Sequence, residues 1–227
     1  MSAQVIPWSY SSLTSYENCG FRFAAERIHK TVQKKQYQEA ANGIDIHKVI
    51  ELHLTENKPL PDATVKAMVD TALRGREVKF MKFEHKLGVT KDLQPCDYYD
   101  KNDCYYRGIL DVMYVNPENS TGAIFDWKNG KPNAYSEQLK ANSALVFAHY
   151  PHITTVHNEY VWLRHKDTTP SKVFRDFYQP IWERFIKRVD RLQHALATDT
   201  WYKKPSGLCK KYCPVTHCEH NGEFKRG

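Results

Sequence analysis

The chain has 227 residues, 41% of them hydrophobic and 26% charged, with a formal net charge of +7. That length suits one domain with a real core, and the balance excludes a disordered or low-complexity chain. No apolar run reaches the length of a membrane span and no charged segment leads into an apolar signal stretch, so a cytoplasmic protein is expected, without a membrane partner and with a surface that suits a polyanion such as nucleic acid.

Taken in order, residues 9–18 offer serine N-caps with apolar Leu13 and Tyr16, which predicts a short helix ending near Cys19. Residues 20–30 predict a second short helix, and the Gln/Lys-rich piece at 31–40 reads as exposed. From 41 to 54, Ile46, Val49, Ile50 and His53 fall at helical spacing, with His47 and Glu51 four apart on an adjoining face. Pro59 and Pro61 break the chain. A long helix is expected over 62–82, burying Val65, Met68, Val69 and Ala72, then a strand over 83–90 and an irregular stretch through 102.

Residues 105–138 hold the most informative pattern. Two runs rich in Ile, Val, Tyr and Phe flank 116–122, a segment dense in Asn, Pro, Ser and Gly, so strand, loop, strand is predicted. The first strand carries Asp111; the second carries Asp126 and Lys128, which share a face because side chains alternate. Asp111 joins them only if opposed residue numbers add to an odd value, which predicts an asymmetric loop or a bulge between Met113 and Ile124. With two carboxylates and an ammonium brought together, the like-charged carboxylates repel each other, an objection that a divalent cation between the oxygens removes. A helix over 134–149, a strand over 153–165 paired with 170–175, and a long helix over 176–198 follow. That last helix turns Trp182, Phe185, Ile186, Val189 and Leu192 inward and Arg184, Lys187, Arg188 and Arg191 outward. Strands and helices intermix without regular βαβ alternation, so the expected class is α/β, a mixed sheet flanked by helices.

The cysteines form two sets. Cys209, Cys213 and Cys218 cluster in the tail, 201–227, and Cys19 stands far upstream. In a reducing compartment clustered thiols imply metal rather than disulfide, and both iron–sulfur and zinc suit them, with His217 and His220 as substitute zinc ligands. Cys96 and Cys104 read as ordinary thiols.

Four signals now stand in order: Gly43-x-x-x-His47 on a helix, Gly108-x-x-Asp111 on a strand, Asp126-Trp127-Lys128 on the next, and Gln138 opening a helix. Together they resemble the PD-(D/E)xK nuclease superfamily, and within it the RecB-like branch. The resemblance implies a restriction-endonuclease-like core in a single nuclease domain over 1–227. It implies metal ligands at His47, Asp111 and Asp126 for Mg²⁺ or Mn²⁺. It also implies catalytic roles for Asp111, Asp126, Lys128 and Gln138. Two positions depart from the pattern: Asn142 stands where the branch often has tyrosine, and Leu110 precedes Asp111 where the superfamily's name has proline.

One early and three late cysteines are similar to the iron–sulfur subgroup, which includes the AddB nuclease and the exonucleases of CRISPR adaptation. That likeness implies a 4Fe-4S cluster on Cys19, Cys209, Cys213 and Cys218, joining the N- and C-termini, with the tail packed against the segment around Cys19. The late spacing here is Cys-x3-Cys-x4-Cys rather than the usual Cys-x-x-Cys-x5-Cys. The expected function is a metal-dependent DNA exonuclease acting on single strands or ends, with protein partners in recombination, repair or CRISPR adaptation. The alternative is a catalytically silent nucleic-acid-binding or assembly subunit that keeps the fold. Glu84 begins a strand before the core and is only a minor candidate to reach the site. Glu51 reads as solvated, Tyr98, Tyr99, Tyr105 and Tyr106 are candidates to stack on bases, and Arg164, Lys166, Lys172 and Arg175 are candidates for a phosphate track.

Overall fold

A computed structural model describes residues 7–33, 46–60, 62–133 and 137–224. The helices in chain order are α1 (Tyr10–Asn18), α2 (Gly20–Phe23), α3 (Ile46–Glu56), α4 (Ala63–Ala72), α5 (Glu137–His149), α6 (Tyr178–Thr198) and α7 (Cys209–Tyr212). The strands are β1 (Met81–Val89), β2 (Pro95–Cys96), β3 (Tyr106–Val115), β4 (Thr121–Lys128), β5 (Thr155–Trp162) and β6 (Asp167–Phe174). The described residues fall into two compact units: 7–8 with 46–185, and 9–33 with 186–224.

The larger unit is built on a six-stranded sheet in the order β2-β1-β3-β4-β5-β6. β4 and β5 run parallel and the other neighbours antiparallel, so the sheet is mixed. The parallel pair needs a crossover, and α5 supplies it. On one face Ile50 of α3 and Val65 and Val69 of α4 pack against Met81, Val112, Phe125 and Trp127. α5 buries residues all round its circumference, including Leu139, Ala144, Leu145 and Phe147, as an enclosed helix does. Trp8 adds a short parallel bridge to Tyr106, its N–H donating to the Tyr105 carbonyl at 2.9 Å.

Several boundaries differ from the sequence-based expectation. The helix expected over 62–82 ends at Ala72, because the chain turns through Gly75 at φ +74°, a conformation that costs glycine little. β1 therefore begins at Met81, two residues early. β6 starts at Asp167 rather than 170, across a tight turn in which Lys166 takes φ +52°. The β3–β4 ladder runs Val112↔Phe125 to Val115↔Gly122, so every opposed pair adds to an odd number as required. No bulge interrupts that ladder; the phase comes from a loop centred between Glu118 and Asn119. Gly43 and residues 134–136, part of two predicted helices, lie outside the described residues.

In the smaller unit, α1 opens with a reciprocal cap between Ser9 and Ser12, which satisfies two N–H groups at the helix start. Tyr16 donates to the Arg191 carbonyl at 3.1 Å, Tyr202 donates to the Tyr16 carbonyl at 2.6 Å, and Phe21 N–H donates to the Tyr202 carbonyl at 2.9 Å. Arg188, expected on an outer face, instead grips both oxygens of Glu17 at 2.7 Å and is largely covered. Arg–carboxylate forks of this kind fix geometry as well as adding energy.

Gly108 shows how closely α5 lies on β3. A Cβ there would come within 2.8 Å of a Leu145 methyl and 3.0 Å of Asn142 Oδ1, and both neighbours are buried. Gly108→Ala is expected to destabilise the protein by about 1–3 kcal/mol through overpacking, measured by denaturant unfolding.

Candidate functional site

The site begins where two ladders fail together. β1 and β3 pair from Met81↔Tyr114 to Val89↔Tyr106, but the pair Glu84/Asp111 is skipped. On β3, Val112 belongs to the core under α3 and α4, while Gly108, of the same parity, meets α5. Strict alternation would put both on one face, so the strand changes phase between them. β1 does the same: Phe83 packs with the α3–α4 core, whereas His85 lies beside Tyr150, just past α5. Glu84 takes φ +44° at this point. A non-glycine residue in the left-handed region costs of order 1–3 kcal/mol and persists only where its surroundings enforce it.

The second failure is between β3 and β4. Their pairing stops at Val112↔Phe125, although β4 stays paired to β5 through Lys128. In the opening, Asp111 Oδ2 accepts the Trp127 backbone N–H at 2.9 Å. A carboxylate thus satisfies a donor that a strand carbonyl would otherwise take.

Into this notch α3 brings His47. Its Nδ1 lies 3.0 Å from Asp111 Oδ2 and 3.9 Å from Glu84 Oε1, and one ligand atom from each of the three residues lies within 4.8 Å of the others. From β4, the Lys128 ammonium contacts Asp126 Oδ1 at 2.5 Å, an ion pair without hydrogen-bond alignment. It also donates to Gln138 Oε1 at 3.4 Å and sits 5.2 Å over the Tyr160 ring. Asp126 is 3% exposed. Burial first, and the Asp111 charge second, push its pKa up to about 6 against the opposing pull of Lys128 and His47. The hydrogen bond to Asp111 holds His47 above the ordinary imidazole range despite its partial burial.

The structure therefore brings together His47, Asp111, Asp126, Lys128 and Gln138, and adds Glu84. Spacing alone gives Glu84 little weight; the skipped register is what aims it. Glu51 stays outside, paired to Lys48 at 2.7 Å. Asn142 is buried against Gly108 rather than turned to the site. Arg175 is no phosphate contact: it donates to the carbonyls of Ile153, Phe147 and Tyr150 at 2.7–3.1 Å. Tyr105 and Tyr106 are buried, so neither offers a face to a base. The sulfurs of Cys96 and Cys104 both lie beside Gly88, 3.2 and 3.1 Å from where a Cβ there would stand, and the Cys104 thiol donates to the Tyr106 carbonyl at 3.6 Å.

The donor set suits a hard divalent cation: carboxylate oxygens with one imidazole nitrogen fit Mg²⁺ or, better, Mn²⁺. Three acids crowded at a backbone that is itself strained are hard to explain by packing, and a cation removes the repulsion. In the smaller unit, Cys19, Cys209, Cys213 and Cys218 line one small cavity with Phe21, Val215 and His220. Among the described residues no three cysteine or histidine donors of this group lie within 4.8 Å of one another.

A family model described as the PD-(D/E)XK nuclease superfamily matches residues 7–218. No curated protein matches the chain.

Two outcomes are expected. Mn²⁺ at a hundred times its Kd should stabilise the protein by about 2.7 kcal/mol, roughly 5–10 °C in Tm, and Glu84→Gln should shrink that shift. In metal-free protein a raised carboxyl pKa favours folding at low pH, and that contribution is lost as pH rises through the folded value near 6. Asp126→Asn should therefore gain Tm relative to wild type between pH 4 and 7, read by thermal melts across that range.

Proposed function

The chain belongs to the PD-(D/E)XK nuclease superfamily, and from that premise we propose that it is a Mg²⁺- or Mn²⁺-dependent deoxyribonuclease acting as an exonuclease on single strands or DNA ends. The observation that carries this reading is the convergence of Asp111, Asp126, Lys128 and His47 at the opening between β3 and β4. His47, Asp111 and Asp126 would hold the metal, with Glu84 as a further oxygen donor. When bound, the ion supplies a lowered water pKa and charge neutralisation at the scissile phosphate.

The chain's own residues do the rest. Asp111, fixed by Trp127 N–H and His47, offers its carboxylate without having to reorganise. Lys128 is aimed by Asp126 on one side and Gln138 on the other, which points its ammonium at the charge that grows on phosphorus-bound oxygen. Asp126, buried and with its pKa pushed up to about 6, pairs with the Lys128 ammonium. Hydrolysis adds water across the P–O3′ bond: hydroxide goes to phosphorus, the proton ends on the 3′ oxygen, and the products are a 5′-phosphate and a 3′-hydroxyl.

We propose further that Cys19, Cys209, Cys213 and Cys218 hold a 4Fe-4S cluster. The four thiols line one shared cavity, and thiolate sets of this kind ligate iron–sulfur clusters. The cluster would be structural, tying the chain around Cys19 to the tail.

Lys128→Ala and Asp126→Ala are each expected to lower cleavage of labelled single-stranded DNA by at least about 10²-fold, with DNA affinity within a few fold, since binding is spread over many phosphate contacts. Wild-type rates in either variant would refute the site. Resistance of circular single strands, with linear ones degraded, would identify exonuclease action. Protein purified without oxygen should be brown and contain about four irons per chain; Cys19→Ala and Cys213→Ala should each lose colour and iron together, whereas colourless protein containing zinc would contradict the cluster.

A further inference from the structure

The phase change at Glu84 and Asp111 has a consequence for the rest of β1 and β3. Beyond it, Gly108 faces α5, so by alternation Ile109 and Arg107 face the other way, the side from which α3 presents His47. The register sets Lys86 opposite Ile109 and Gly88 opposite Arg107. A strip therefore leads away from the carboxylates along the outer face of the two strands: Glu84/Asp111, then Lys86/Ile109, then Arg107. Ile109 is 38% exposed, unusual for an isoleucine in the third strand of a six-stranded sheet.

Over this strip folds the loop between β2 and β3. Tyr99 is 61% exposed, with its hydroxyl 2.5 Å from the Lys86 ammonium. Tyr98 stands edge-on to Tyr99, ring centroids 5.0 Å apart, and the Arg107 guanidinium lies 5.0 Å from the Tyr98 ring. Of the loop's acids, Asp97 accepts the Tyr99 N–H and Asp100 accepts those of Asn102 and Asp103. Two cations and two tyrosines thus alternate beside an exposed apolar residue, in line with the candidate site.

We infer that this strip, Lys86, Ile109, Tyr99, Tyr98 and Arg107, is the track for a single-stranded nucleic acid entering the site, with bases stacked on the tyrosines and phosphates on Lys86 and Arg107. Stacking on aromatic faces needs unpaired bases, and interleaved cations complement a flexible polyanion. A duplex keeps its bases inside and has no use for Tyr99. From Asp111 to Arg107 the strand spans about 13 Å, so the contacts begin next to the scissile position. The inference rests on the nuclease reading for its direction but not for its binding chemistry.

Binding is measured by fluorescence anisotropy in EDTA, without turnover, using a labelled single-stranded DNA of about 12 nucleotides and the matching duplex. Tyr99→Ala should weaken the single strand about tenfold and leave the duplex unchanged, while Tyr99→Phe keeps wild-type affinity because the ring suffices. Lys86→Ala should reduce the salt slope for the single strand by about 0.7. Phe177→Ala, an exposed aromatic elsewhere in the unit, serves as the control. Tyr99 is too exposed for its loss to unfold the chain, and an unchanged unfolding midpoint verifies that. Wild-type single-strand affinity in Tyr99→Ala, or equal losses for duplex and single strand, would overturn the track. Absence of metal-dependent cleavage by the wild type would instead overturn the nuclease reading, leaving the binding result to stand.

Discussion

Three carboxylates held against their mutual repulsion are the constraint on which the site depends. Asp126 is buried, Asp111 lies close enough to raise its pKa, and Glu84 sits near both the His47 imidazole and Asp111. Left to relax, such groups would turn to water. Asp111 is held by a backbone N–H and an imidazole and Asp126 by burial and Lys128, while Glu84, still partly exposed, sits at a left-handed backbone position. Breaking local rules at one place, with compensation around it, is what marks a functional site rather than a folding error.

The sheet supplies the room. β3 stays paired to β1 and β4 stays paired to β5, yet β3 and β4 part beyond Val112 and Phe125. The parting leaves Asp111, Asp126 and Lys128 side by side, with Asp126 buried and Lys128 partly exposed. Gly108, lacking a side chain, lets α5 lie close on β3, and the first turn of α5 then sets Gln138 against Lys128. Packing and chemistry share these residues: Trp127 fills the core with its ring and orients Asp111 with its N–H.

Much of this was legible in the chain itself, for reasons that can be named. The two-residue spacing of Asp126 and Lys128 fixes their common face, and parity requires an odd register for Asp111 to join them. Helical spacing places His47 beside Ile46 and Ile50 on a helix. What was least legible depends on contacts between distant segments. Glu84 enters only because the β1–β3 ladder skips a pair, and no local pattern encodes a skipped pair. Cys96 and Cys104 meet across Gly88 for the same reason. The early end of α4 was hidden because its apolar spacing continues past Ala72, while a single Gly75 turn decides the outcome. Tyr98 and Tyr99 differ from Tyr105 and Tyr106 in exposure alone, which follows from tertiary packing rather than residue type.

The central claim is that the notch at Glu84, Asp111 and His47 exists to hold a divalent cation. Crystals grown with Mn²⁺ and measured at the manganese absorption edge test it most directly. The account predicts an anomalous peak in contact with His47 and the carboxylates of Asp111 and Asp126, with Glu84 within reach. Manganese bound elsewhere on the chain, with this notch free of anomalous density, would contradict it.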